Sequence, residues 1–117
     1  MSEQETRAAA EAYRREHETQ NLDGLMEYYA DDAVFVPSGG RPAAEGKAAV
    51  RELIGSWMLR AEPRRMRYER LVVGGDEAGA EWRSTRINPD GSEQHRWGAV
   101  FFQLRNGKIT YTRLYQQ

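Results

Sequence analysis

Two side chains that could move a proton lie one helical turn apart near the start of the chain. Tyr13 and His17 are four positions apart in a segment with a helical pattern, so they share one helix face. An imidazole titrates near neutrality and can act as general base or acid, and a tyrosine hydroxyl can donate to an oxyanion. The pair predicts acid–base chemistry, although the same positions also suit residues that only line a pocket or lie on the surface.

Two arginines form a second candidate for chemistry. Arg86 and Arg96 lie in two segments that are predicted to be strands, in which successive side chains point to opposite faces. Both arginines fall on the face that also carries Trp82 and Ser84. A guanidinium keeps its charge, so an arginine inside an apolar pocket requires an anion. For Arg86 that anion is either an internal carboxylate, with Glu69 the nearest candidate, or a substrate carboxylate or enolate. Alternatively, both side chains lie close enough to the predicted turn to reach water.

The first half of the chain predicts the helices that position these residues. Ser2-x-x-Glu5 is a capping box, and the helix that it starts is expected to end near Thr19. Asn21 can cap a second, short helix, and a third helix begins near Gly46. A helical N-terminal half is therefore expected.

The second half of the chain predicts strands, and Ala33–Val36 adds a short strand before the third helix. Asn88–Gly91 and Asn106–Gly107 are typical of hairpin turns. Four strands are predicted around them: Met66–Val73, Ala78–Ile87, Ser92–Arg105 and Lys108–Tyr115. Helices packed on one side of such an antiparallel meander make an α+β domain.

Several of these segments carry a resemblance to a known superfamily. The residues concerned are Tyr13, Asn21–Met26, Tyr29–Phe35, Ala44–Leu53 and Asn106–Ile109. Together they resemble the nuclear transport factor 2-like superfamily, in its SnoaL-like and ketosteroid isomerase-like branches. The resemblance implies one SnoaL-like domain over residues 1–117: a cone in which three N-terminal helices pack on a strongly curved antiparallel sheet around an apolar pocket.

The resemblance also implies which catalytic groups are present. Tyr13 falls where ketosteroid isomerases keep their oxyanion-hole tyrosine. Their catalytic base, an aspartate, falls on Pro37, and their second oxyanion donor, a protonated aspartate, falls on Val100. Neither replacement can carry or donate a proton, so the chain is not expected to be a standard ketosteroid isomerase.

Strand alternation, laid over the same resemblance, predicts which residues surround the pocket. The predicted substrate-binding residues are Phe35, Trp57, Trp82, Ser84, Arg96, Val100, Phe102 and Thr112. Large aromatic side chains among them suit a flat ligand, and they equally suit plain packing. On the last strand the alternation assigns Thr110 to the same inward face.

The opposite, convex face of the predicted sheet carries Trp97, Phe101 and Tyr111. An exposed apolar patch of this kind is typical of an interface, and members of the superfamily commonly dimerise through this face. A homodimer is therefore expected.

Composition excludes several function classes. The chain has no cysteine, two histidines and a net charge of −1, which argues against a thiolate or zinc site and against a field that attracts nucleic acid or anionic lipid. A basic cluster at Arg60–Arg70 is interpreted as a solvated strand edge, with a nucleic-acid contact as the alternative. With no long apolar segment and no signal-like N-terminus, we expect a cytoplasmic protein that does not contact a membrane.

These observations leave two functional hypotheses. The first is a SnoaL-like enzyme of isomerase, cyclase or lyase type that uses general acid–base catalysis, without a cofactor or metal, on a small apolar carbonyl or polyketide-like substrate. Tyr13 would donate to the oxyanion, His17 would exchange the proton and Arg86 would anchor an anion. The second hypothesis is a non-catalytic module that binds a small apolar or aromatic ligand or serves dimerisation, which the missing aspartates favour.

Overall fold

The N-terminal half of the chain is helical, as its caps predict. A computed structural model describes residues 3–39, 42–60 and 64–116, so the predicted cap at Ser2 lies outside the described residues. The helices are α1 (Glu3–Thr19), α2 (Leu22–Met26) and α3 (Lys47–Arg60). The Asn21 side chain accepts a hydrogen bond from the Gly24 amide at 3.1 Å, which confirms the predicted start of α2.

The chain also forms a six-stranded sheet, and two of its strands precede the third helix in the sequence. Its strands are β1 (Tyr29–Val36), β2 (Ala44–Glu45), β3 (Arg64–Gly74), β4 (Glu77–Ile87), β5 (Glu93–Arg105) and β6 (Lys108–Gln116), in the order β2-β1-β6-β5-β4-β3. Strands β3 to β6 form the predicted antiparallel meander. The α+β class is therefore confirmed, with helices packed on a curved sheet.

The edge of the sheet that contains β1 differs from the expectation of a purely antiparallel sheet. β1 pairs in parallel with β6 and antiparallel with the two-residue strand β2. The parallel pair joins segments at opposite ends of the chain, so no hairpin turn signals it. β2 is too short to show an alternating pattern.

Helix α1 is fixed along β3 by both packing and hydrogen bonds. Ala9 and Ala10 are fully buried, and their small side chains allow close approach of the helix to the sheet. The Tyr68 hydroxyl donates to the Ala10 carbonyl at 2.6 Å, and the Glu18 carboxylate accepts from the Met66 amide at 2.8 Å. These contacts hold the C-terminal half of α1 over the concave face of the sheet.

One β-bulge changes which residue of β6 faces inward. The β5–β6 register shifts between Gln103 and Leu104, and Ile109 is fully buried whereas Thr110 is half-buried and donates to the Gln103 carbonyl at 3.1 Å. An extra residue in one strand offsets the alternation by one position. Ile109 therefore takes the inward position that alternation alone assigns to Thr110.

The convex face of the sheet is partly apolar and carries ion pairs. Trp97 and Phe101 are 44% and 48% exposed, as the alternation predicts, and the Phe101 ring lies against Gly79, where a Cβ would come within 2.8 Å of it. Two cross-strand pairs lie on the same face: Arg65–Glu93 at 3.5 Å and Arg83–Glu69 at 3.9 Å.

Candidate functional site

A cavity of about 470 Å³ lies between the concave face of the sheet and the ends of α1 and α3. This volume is within the range of small-molecule sites. Its lining residues are Tyr13, His17, Pro37, Ser38, Trp57, Met58, Arg64, Met66, Trp82, Ser84, Arg96, Leu114 and Gln116. The walls are thus mainly aromatic and aliphatic, with a few polar groups and two arginines.

His17 presents a neutral imidazole at this cavity. Its Nδ1 lies 2.7 Å from the Tyr13 carbonyl oxygen, which can only accept, so Nδ1 carries the hydrogen and Nε2 keeps a lone pair. Nε2 is buried and has no hydrogen-bond partner. Burial, with a smaller contribution from the charge of Arg64, lowers the pKa of His17 to about 4, against the opposing effect of the hydrogen bond to Tyr13. Near neutral pH the ring is therefore uncharged and can accept a proton only at Nε2.

Tyr13 lies directly beside His17, with ring centroids 4.2 Å apart. Its side chain is buried and packs edge-on against Phe102 at 5.1 Å. Burial, and then the nearby Tyr29 and Tyr68, raise the pKa of Tyr13 well above its usual value. The hydroxyl therefore stays protonated and can serve as a hydrogen-bond donor.

Trp82 forms part of the cavity wall and carries a second polar atom without a partner. The side chain is 5% exposed, and its indole Nε1 is buried and makes no hydrogen bond. The ring lies over Gly98 on the neighbouring strand, where a Cβ would come within 2.7 Å of Cε2. Gly98 therefore allows the indole to lie flat on the sheet.

Three polar residues line the cavity on neighbouring strands. Ser84 of β4 pairs in register with Met66 of β3 and with Arg96 of β5, and Arg64 lies two residues before Met66 on the same face. The Arg64 Nη1 is 3.5 Å from the Ser84 Oγ. Among the lining residues that the structure describes there are two arginines and no aspartate or glutamate.

Six of the predicted site residues line the cavity, and five do not. Tyr13, His17, Trp57, Trp82, Ser84 and Arg96 contribute to the lining. Phe35, Val100, Phe102 and Thr112 are buried in the core behind it. Arg86 is half-buried and pairs in register with Arg64 and Gln94, beyond the end of the cavity.

The four core residues have structural contacts of their own. Phe35 packs edge-on against Trp57 at 5.4 Å and so supports the wall from behind. The Thr112 hydroxyl is 3.0 Å from the Tyr29 hydroxyl, and this buried pair satisfies both groups. Val100 is fully buried and apolar, so it offers no donor at the position of the aspartate in ketosteroid isomerases.

The most informative lining residue that the sequence analysis does not single out is Arg64. It belongs to the basic cluster interpreted as a solvated edge, and the predicted strand began two residues later, at Met66. Extending the alternation of Met66 and Tyr68 backwards would have placed Arg64 on the inward face. Pro37 lines the cavity as well.

The described part of the chain holds neither a metal-binding cluster nor a membrane-spanning helix. Within residues 3–39, 42–60 and 64–116, no group of three or more histidine, aspartate or glutamate side chains is arranged to hold a metal ion. Over the same ranges, no helix is both long and apolar enough to cross a membrane.

Comparison with known proteins agrees with the fold. No curated protein matches the chain. Among solved structures, the epoxide hydrolase/cyclase-like enzyme SalBIII, from pyran ring formation in salinomycin, superposes with a TM-score of 0.82 at 21% identity, covering 99% of this chain and 93% of that one. An LEH-like epoxide hydrolase of M. tuberculosis superposes with a TM-score of 0.79 at 20% identity, covering 97% of this chain and 84% of that one.

A designed protein has the same fold as this chain. A de novo protein with a curved β-sheet superposes with a TM-score of 0.79 at 21% identity, covering 100% of this chain and 88% of that one. At such identities the likeness concerns the fold. The sequence profile of the SnoaL-like domain, in contrast, matches residues 10–112, and the chain therefore belongs to the SnoaL-like domain family.

Proposed function

We propose that this protein is a small-molecule enzyme that uses general acid–base catalysis, of isomerase, cyclase or lyase type, on an apolar carbonyl or polyketide-like substrate. The observation that carries the proposal is the neutral His17, whose Nε2 is buried at the cavity without a partner. A buried acceptor of this kind costs free energy unless something supplies a hydrogen. A substrate C–H or O–H in the cavity would supply it.

In the proposed reaction, His17 is the base and Tyr13 stabilises the product of proton removal. Nε2 takes a proton from the carbon next to the carbonyl, and the C–H electron pair moves toward the carbonyl oxygen. The Tyr13 hydroxyl donates to the resulting enolate oxygen. Return of the proton from Nε2 to another atom of the substrate completes an isomerisation, and attack of the enolate on a second carbonyl would complete a cyclisation.

The low basicity of His17 restricts the substrates that fit this reaction. A base whose conjugate acid has a pKa of about 4 removes protons efficiently only from acidic carbon atoms. Carbon atoms flanked by two carbonyl groups, or by a carbonyl and an aromatic ring, meet that condition. Both patterns occur in polyketide-like molecules, and both suit the walls formed by Trp57 and Trp82.

Deuterium exchange tests the proposal without knowledge of the natural substrate. The probe is 2-tetralone, whose C1 protons lie between a carbonyl and an aromatic ring; exchange into D₂O is followed by NMR at neutral pD. We expect the exchange catalysed by the wild type to fall at least about a hundredfold in His17→Asn. This variant keeps a donor near the Tyr13 carbonyl and lacks Nε2. Arg67→Gln, an exposed position on β3, is the matched control and should keep the wild-type rate.

The second candidate is a non-catalytic binding module. Pro37 and Val100, at the positions of the two aspartates of ketosteroid isomerases, favour it because neither side chain transfers a proton. In that case the wild type, His17→Asn and Arg67→Gln would all exchange 2-tetralone at the buffer rate. The same result would refute the enzymatic proposal for carbonyl substrates of this kind.

Dimerisation through the convex face stays a prediction. Its support is the exposure of Trp97 and Phe101 on one face, and the partner would be a second copy of the chain.

A further inference from the structure

We infer that Arg64, Ser84 and Arg96 form a carboxylate-binding site, here called the arginine clamp, and that the substrate is an organic acid with an aromatic or apolar body. The inference rests on the proposed function, because it names the substrate class for the same cavity. It adds a residue, Arg64, and a ligand charge that neither the family membership nor the structural relatives assign.

The register of the sheet places the three side chains of the clamp next to one another. Ser84 is the register partner of Arg96 on one side and of Met66 on the other, and Arg64 reaches back to within 3.5 Å of the Ser84 hydroxyl. Arg64 and Arg96 therefore lie on the two strands that neighbour β4, on either side of Ser84.

The charge balance of the cavity favours an anion. Two guanidinium groups line it, and within the described part of the chain no carboxylate does. Arg96 forms none of the ion pairs found among the described residues, whereas Arg65 and Arg83 on the other face of the same strands pair with glutamates. A carboxylate bound beside Arg96 would give this guanidinium the counter-charge that the ion pairs of the described residues do not supply.

The chemistry of the clamp favours a carboxylate in particular. A guanidinium presents planar N–H donors that match the two oxygens of a carboxylate, and such charged hydrogen bonds are the stronger ones in proteins. The Ser84 hydroxyl can add a third donor. Trp57, Trp82 and Leu114 supply apolar contacts for the remainder of the ligand.

The test compares two ligands that differ in charge and hardly in shape. The probes are 2-naphthoate and 2-naphthamide, titrated into the full-length protein by calorimetry at pH 7.5 and moderate salt. We expect the wild type to bind naphthoate at least tenfold more tightly than naphthamide. Arg96→Gln should abolish this preference while naphthamide still binds, and Arg64→Gln should do the same. Arg67→Gln, on the outward face of β3, removes the same charge and should keep the preference.

Equal affinity of the wild type for both probes would overturn the inference, as would a preference that survives in Arg96→Gln. Arg96 is exposed, so this variant reports on the clamp even if Arg64→Gln fails to fold. The binding assay involves no proton transfer and is therefore independent of the exchange assay above. Loss of the naphthoate preference with His17-dependent exchange intact would refute the clamp alone, and the reverse pattern would refute the base alone.

Discussion

The two faces of strands β3 to β5 carry the same residue types with opposite consequences. On the convex face, Trp97 is 44% exposed and Arg65 forms an ion pair with Glu93. On the concave face, Trp82 is 5% exposed and Arg96 lines the cavity, among described lining residues that include no acid. Tryptophan and arginine by themselves therefore do not identify the functional face.

The difference arises from what covers each face. Helices α1 and α3 lie over the concave side, where Trp82 and Ser84 are buried, so a buried polar atom that finds no partner there remains costly. On the convex side, Arg65 and Arg83 form ion pairs with neighbouring glutamates, although the Arg83 Nε is itself buried without a hydrogen-bond partner. His17 Nε2 and Trp82 Nε1 are buried atoms of lining residues that make no hydrogen bond, and they support the proposed ligand site.

The largest expected difference between the faces concerns the two tryptophans. Trp82→Ala should lower the free energy of unfolding by about 3–5 kcal/mol, since it removes a large buried side chain from the wall. Trp97→Ala should lower it by less than about 1 kcal/mol in protein dilute enough to be monomeric. Urea unfolding measures both, and equal losses would contradict the assignment of faces.

The next effect is a pH dependence of stability caused by His17. The unfolded chain binds a proton at this residue with a pKa near 6.5, and the folded protein only with a pKa of about 4. Between these values the unfolded state holds more protons, so stability present above pH 6.5 is lost as the pH falls toward 4. The shift corresponds to roughly 3 kcal/mol.

Unfolding of the wild type and of His17→Asn at pH 7 and at pH 4.5 isolates this contribution. Each protein loses some unfolding free energy between pH 7 and pH 4.5. We expect the wild type to lose more than His17→Asn, and the excess is the contribution of His17. An identical loss in both would show that His17 is not buried in its neutral form.

The smallest expected effect on stability concerns the exposed aromatic residues of the convex face. Their replacement also tests the predicted homodimer. Replacement of Trp97 and Phe101 by serine should change the unfolding free energy of the monomer by about 1 kcal/mol or less. The molar mass in solution, measured by light scattering, should fall from that of a dimer to that of a monomer. An unchanged mass would exclude this face as the interface.

Local sequence signals predicted most of the fold. Asn21 caps α2 as expected, and Asn106–Gly107 forms the β5–β6 turn. The β1–β6 pair was not predicted, because strand pairing between distant segments depends on tertiary packing rather than on a local turn.

The candidate site was predicted less completely, for a geometric reason. Strand alternation gives the face on which a residue lies, and it does not give the distance of that residue from the covering helices. Trp82 and Ser84 are inward and beneath the helices, whereas Arg86, two residues further along the same strand, lies past the end of the cavity. Arg64 enters the site because β3 begins earlier than the apolar pattern indicates.

The most direct test of the account is a titration of the His17 ring nitrogens by ¹⁵N NMR, with the signals assigned through His17→Asn. The account predicts a neutral ring with the hydrogen on Nδ1 at pH 7 and protonation with a pKa of about 4. A ring that titrates near pH 6.5, or one that carries its hydrogen on Nε2, would contradict the central claim that the cavity holds a buried, neutral base.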